Sequence, residues 1–129
     1  MSAGQHPYFT SGLRWHTQLA DGLADARARG LKIFLAHGHR FCSGTRALVE
    51  RTLAKEEVAE MMERHFVCVA SDGEHLTPEV AALIERLPKK EPTPLCLYLD
   101  AEGTLISSTA GGRPPAVLLN DMLNANSRR

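Results

Sequence analysis

Three short apolar runs govern what this chain can fold into: residues 31–36 (Leu-Lys-Ile-Phe-Leu-Ala), 66–70 (Phe-Val-Cys-Val-Ala) and 95–99 (Leu-Cys-Leu-Tyr-Leu). Short continuous apolar stretches suit strands covered on both faces, as in a sheet with crossover helices. Helical spacing lies between the first two runs, with Leu48, Val49 and Leu53, then Val58, Met61 and Met62. Residues 52–55 read as either a kink or a break between two helices. Strand, helix, strand over about 40 residues predicts a right-handed βαβ unit with parallel strands.

The rest of the chain completes an α/β order. Trp15 precedes a helical pattern with Leu19, Leu23 and Ala26 on one face, ended by Gly30 as a C-terminal cap. Thr77 and Pro78 open a helix as cap and first-turn residue, and Val80, Leu83, Ile84 and Leu87 mark its apolar face. Residues 88–94 form a breaker segment containing Pro88, Pro92 and Pro94. Residues 100–103 (Asp-Ala-Glu-Gly) are a turn joining the third apolar run to a fourth strand at 104–108. Pro114 and Pro115 open a last helix with Val117, Leu118, Met122 and Leu123 as its apolar positions. The expected organisation is a loose leader at 1–14, one domain at 15–123 and a polar tail at 124–129.

Length and charge exclude several function classes. The 129 residues suit one domain with a real core. Lys plus Arg equals Asp plus Glu at 15 each, with no basic stripe, so neither nucleic acid nor an anionic membrane is expected as a partner. Three cysteines, Cys42, Cys68 and Cys96, are not a disulfide framework. No signal-peptide pattern and no membrane-length apolar run is present, so the expectation is a soluble cytoplasmic protein.

The chemistry concentrates at residues 37–46, His-Gly-His-Arg-Phe-Cys-Ser-Gly-Thr-Arg. Cys42 sits where an apolar strand hands over to a helix. The first turn of a helix has unpaired N–H groups and a partial positive charge, which favour a thiolate. Cys42 is therefore read as a reactive thiol; the alternative is a small apolar filler. Arg40 and Arg46 add positive charge nearby. Cys68 and Cys96 lie within apolar strands and are expected to be buried and inert.

The order of helix, strand, cysteine turn, helix, strand, helix, X-Pro-strand, hairpin and helix resembles the thioredoxin fold. It resembles in particular the branch that includes bacterial thiol–disulfide interchange proteins and the anterior-gradient proteins. The likeness rests on residues 15–30 as leading helix, 34–46 as strand and active-site turn, 55–59 with 66–69 as the stretch into the next strand, Thr93-Pro94, and 97–103 as the final hairpin. It implies an α/β, thioredoxin-like fold with a central mixed sheet of about four strands flanked by helices. It also places Cys42 at the first cysteine of a Cys-X-X-Cys motif, and Pro94 at a cis-proline beside it. Three departures matter. Thr45 stands at the second cysteine, giving Cys-Ser-Gly-Thr. Phe41 replaces the usual tryptophan, and Ala36 occupies the place of a buried aspartate.

What the resemblance implies is a single-thiol mechanism. Cys42 attacks a disulfide and an outside thiol, such as glutathione or a partner's cysteine, releases it. Thr45, one helical turn on, donates its hydroxyl to the sulfur, and Ser43 is placed to do the same. The expected catalytic residues are Cys42 and Thr45, with Thr93, Pro94, Phe41 and Ser43 as substrate-binding residues. No cofactor is expected; the partners are protein or small-molecule thiols and disulfides. Two alternatives stay open: a non-catalytic binding or chaperone module on the same fold, and a metal site built from His37, His39 and Cys42. In the bland reading these histidines are exposed loop residues near the thiol.

Overall fold

The computed structural model describes His6, Phe9 and residues 13–88 and 93–128. Most of the expected leader and residues 89–92 of the breaker segment, including Pro92, lie outside the described residues.

The three apolar runs form the three inner strands of one mixed sheet. In chain order the elements are β1 (Trp15–His16), α1 (Leu19–Arg29), β2 (Lys32–Gly38), α2 (Ser43–Ala47), a π-helical turn (Leu48–Thr52), α3 (Glu56–His65), β3 (Phe66–Asp72), α4 (Pro78–Glu85), β4 (Leu95–Leu99), β5 (Leu105–Ala110) and α5 (Pro115–Ser127). The strand order is β1-β3-β2-β4-β5. β3 runs parallel to both β1 and β2, whereas β4 is antiparallel to β2 and β5. The sheet is the thioredoxin-like architecture with five strands rather than about four. The extra strand is β1, whose Trp15 pairs with Cys68 and whose His16 pairs with Val69. Two residues carry no readable period, so the sequence shows Trp15 only as the prelude to a helix.

Alternation along each inner strand feeds two cores. Phe34, Ala36, Phe66, Cys68, Cys96 and Tyr98 point to one face, which the π-helical turn, α3 and α5 cover with Leu48, Met62 and Leu118 among others. Ile33, Leu35, Val67, Val69, Leu95, Leu97 and Leu99 point to the other, under α1 and α4. Burial on both faces explains the absence of polar alternation. Ile33, Phe34 and Leu35 are wholly buried, and each such side chain contributes about 1.5–3 kcal/mol. Phe9 and Leu13, from the expected leader, also belong to the first core.

The ends of the elements follow local chemistry. α1 stops at Gly30, which has φ +65° and donates its N–H to the Ala26 carbonyl. α4 begins at Thr77, whose hydroxyl accepts the Val80 N–H at 3.4 Å, with Pro78 in the first turn. In the β4–β5 turn the Asp100 carboxylate accepts the N–H groups of Glu102 and Thr104, both at 2.9 Å, and Gly103 takes φ +86°. The open question at residues 52–55 resolves into two helical segments: a π-helical turn ends at Thr52, and α3 restarts after Lys55 in extended geometry. α5 continues to Ser127 and buries Ala125, so its last turn occupies the expected polar tail. Among the described residues no helix is long and apolar enough to cross a membrane.

Candidate active site at the end of strand β2

β2 runs through His37 to Gly38, and residues 39–42 turn the chain into α2. The Cys42 N–H donates to the His39 carbonyl at 3.1 Å, and the Cys42 carbonyl accepts the Arg46 N–H at 3.1 Å. Cys42 is thus the N-cap of α2, in extended geometry, and is partly exposed. The sulfur lies where the helix presents its free N–H groups.

β4 and the loop after β5 close around it. The Thr93–Pro94 peptide bond is cis. The Cys42 thiol donates to the Thr93 carbonyl, with Sγ 3.3 Å from the oxygen. A Cβ built on Gly44 would lie 2.8 Å from Pro94 Cδ and 3.7 Å from Cys42 Sγ. A Cβ on Gly112 would lie 2.9 Å from the Gly44 carbonyl oxygen. Two glycines on different elements therefore let α2, Pro94 and the β5–α5 loop meet beside the sulfur. Beyond them an open groove of about 630 Å³ is lined by Ser43, Gly44, Arg46, Ala47, Glu50, Arg51 and Gly112. Two smaller depressions, of about 300 and 270 Å³, lie along β3 away from Cys42.

Opposing effects set the thiol. Partial burial pushes the Cys42 pKa up. Hydrogen bonds to the thiolate from the side chains of Thr93 and Thr45 and the backbone N–H groups of Thr45 and Gly44 outweigh it, and bring the pKa down to about 7. Thr93 acts on both protonation states, since its carbonyl accepts from the thiol and its side chain bonds the thiolate. The expected help from the arginines is absent from this balance. Arg40 Nε lies 3.4 Å from Glu74 and Arg46 Nε 2.8 Å from Glu50, so carboxylates already partner both charges. Cys68 and Cys96 are buried. Burial pushes Cys96 up to about 12 and Cys68 higher still, which leaves neither as a thiolate near neutral pH.

The remaining residues singled out in the sequence separate. Thr45 is buried and accepts the His39 N–H on Oγ1 at 3.2 Å. Ser43 is exposed at the groove. Phe41 is 83 % exposed, with its ring 5.8 Å from that of His39 and its N–H donated to His39 Nδ1 at 3.3 Å. His37 is not the expected loop residue: it is the penultimate residue of β2, buried, with Nδ1 2.8 Å from Ser71 Oγ. Its polar type makes the end of the run look like loop, yet Ser71 opposite it on β3 satisfies the ring. Among the described residues no three His, Cys, Asp or Glu side chains form a group able to hold a metal. His39 is the residue whose part the sequence conceals. Its N–H, carbonyl and ring each hold a different member of the turn, and backbone bonds leave no mark on residue type.

Known proteins can be set beside this geometry. The profile of the family described as thioredoxin-like matches residues 14–101. No curated protein matches the chain in sequence. Among solved structures, a thioredoxin from Thermus thermophilus superposes with a TM-score of 0.73 at 23 % identity, covering 89 % of this chain and 88 % of the other. A disulphide isomerase from Xylella fastidiosa Temecula1 gives 0.69 at 18 % identity, over 83 % and 87 %. A putative disulphide isomerase from Bacteroides thetaiotaomicron gives 0.71 at 20 % identity, over 92 % and 96 %.

Proposed function

The chain belongs to the thioredoxin-like family, and on that premise we propose that it is a single-thiol thiol–disulfide oxidoreductase with Cys42 as nucleophile. The observation that carries this reading is a partly exposed Cys42 at the N-cap of α2, 3.3 Å from the Thr93 carbonyl beside a cis proline; against partial burial, hydrogen bonds from Thr93, Thr45 and Gly44 bring its pKa down to about 7. Near neutral pH such a thiol is substantially thiolate and remains a good nucleophile.

The exchange runs in two balanced steps. Cys42 thiolate attacks one sulfur of a substrate disulfide; the S–S bond breaks, and the other sulfur leaves as a thiolate that takes a proton from solvent. An external thiolate, from glutathione or a partner's cysteine, then attacks the mixed disulfide and expels Cys42 as thiolate. The Thr45 hydroxyl and the N–H groups of Gly44 and Thr45 stabilise the charge on Cys42 before attack and on departure. Substrate chain lies beside Thr93 and Pro94, with Phe41 as an apolar contact and Ser43 at the groove. The reaction takes place on protein or small-molecule disulfides and needs no cofactor.

A binding module without turnover is the rival reading. It draws on Thr45 at the usual place of a second cysteine and on the exposed Phe41 ring as a docking residue. The rate of Cys42 alkylation against pH, together with glutathione-dependent reduction of a mixed-disulfide substrate, separates the two. The oxidoreductase gives a midpoint near 7 and turnover that Cys42→Ser abolishes. A midpoint near 8.5, the value of an unperturbed thiol, with no turnover, would leave the binding module.

A further inference from the structure

Thr45 is 2 % exposed and lies hard against the end of β2. A Cβ on Gly38 would come 2.6 Å from Thr45 Cγ2, 2.9 Å from its Oγ1 and 3.1 Å from Phe9 Cζ. Real Cβ atoms do not approach so closely, so the bare backbone of Gly38 forms one wall of the space that Thr45 fills. A β-branched side chain is already stiff about χ1. Against that wall, the methyl and hydroxyl of Thr45 have fixed places.

The hydroxyl has one proton to give and two lone pairs. The His39 N–H, 3.2 Å away, donates to one lone pair. The hydroxyl proton is not used in that bond, and the Thr45 side chain is among the groups that favour the Cys42 thiolate. Gly38 is held in turn from the far side. The Gly73 N–H donates to its carbonyl at 2.7 Å, and a Cβ on Gly73 would lie 2.9 Å from that oxygen.

On the reading of Cys42 as nucleophile, we infer that Gly38 and His39 are positioning residues that aim the Thr45 hydroxyl proton at Cys42 Sγ. The place one turn after the nucleophile thus holds a fixed donor, and the strand end before the nucleophile fixes it. Neither residue touches the substrate; both act through Thr45.

The test is the pH dependence of Cys42 alkylation in the full chain, followed by mass, for wild type, Thr45→Val, Gly38→Ala and Gly22→Ala. The last is the control. A Cβ on Gly22 collides with Val69 on the other side of the sheet, so it strains the core without reaching Thr45. Thr45→Val and Gly38→Ala are expected to raise the midpoint by about one unit and to slow alkylation at pH 7 about five-fold, the loss of one hydrogen bond to a charged group. Gly22→Ala is expected to keep the wild-type midpoint. Gly38→Ala behaving as Gly22→Ala does, or Thr45→Val leaving the midpoint unchanged, would overturn the inference. Should Gly38→Ala fail to fold, Thr45→Ser carries the test, since it keeps the hydroxyl and loses the methyl that the Gly38 wall fixes. A wild-type midpoint in Thr45→Ser would show that the wall is not needed. A wild-type protein titrating near 8.5 would instead remove the proposed function itself.

Discussion

Gly44 shows how much a single hydrogen atom in place of a methyl can decide. It faces Pro94 Cδ across 2.8 Å from where a Cβ would stand, with Gly112 N at 3.6 Å and Cys42 Sγ at 3.7 Å. Gly44→Ala must push either Pro94 or the β5–α5 loop away from the sulfur. Overpacking of this kind costs about 1–3 kcal/mol, and the displaced Thr93 backbone no longer meets a substrate in register with Sγ. The expected outcome is a lower urea midpoint and a loss in exchange rate larger than the stability change explains. Denaturation and turnover measured on the same preparation check it. The sequence shows Gly44 only as the third residue of Cys-Ser-Gly-Thr. Its role depends on Pro94 and Gly112, which are some 50 and 70 positions away in the chain, and no local pattern carries such a contact.

At the scale of elements, most of the architecture was legible because most of it rests on local rules. The inner strands are built on short runs that are apolar apart from Lys32, and α4 announces itself through Thr77 and Pro78. Thr77→Ala removes the hydroxyl that accepts the Val80 N–H, and the expected loss is about 1 kcal/mol. Thermal unfolding gives the size, and hydrogen exchange at the first turn of α4 gives the place. What stayed hidden has equally physical reasons. β1 is defined by its pairing with Cys68 and Val69, not by a period of its own. The π-helical turn at Leu48–Thr52 keeps Leu48, Val49 and Thr52 buried while shifting the ladder by a residue, so helical spacing blurs there and a kink and a break look alike. β2 extends two residues past Ala36 because the His37 ring pairs with Ser71 Oγ and the Gly38 carbonyl accepts the Gly73 N–H. Cys42 was legible as a candidate from its place before a helix, and Thr45, Thr93 and Pro94 as candidates through the resemblance; the structure sets Cys42 against Thr93. The part played by His39 was not, because it acts largely through its backbone.

Across the whole molecule, a polar contact ties the short edge strand to α1. His16 Nε2 lies 2.9 Å from Asp25 Oδ2, with Arg29 Nη1 3.5 Å from the same oxygen. The hydrogen bond from His16 holds the Asp25 carboxyl below its ordinary range, against partial burial, and Arg29 adds to it. A carboxyl whose pKa is lower folded than unfolded stabilises fully above the unfolded value, about 3.9, and that contribution is lost as pH falls through the folded value. Asp25→Asn is therefore expected to lower the urea midpoint at pH 6–7 and to flatten the acid limb of stability below about pH 4. Equal acid limbs in the two proteins would rule this contact out as a source of that slope. The same packing that makes the sheet stable also seals Cys68 and Cys96 in hydrocarbon. Of the three cysteines only Cys42 leaves its thiol within reach of solvent, so it has no second accessible thiol in its own fold to pair with. Any disulfide made at Cys42 therefore joins this chain to another molecule, so each such bond records one encounter.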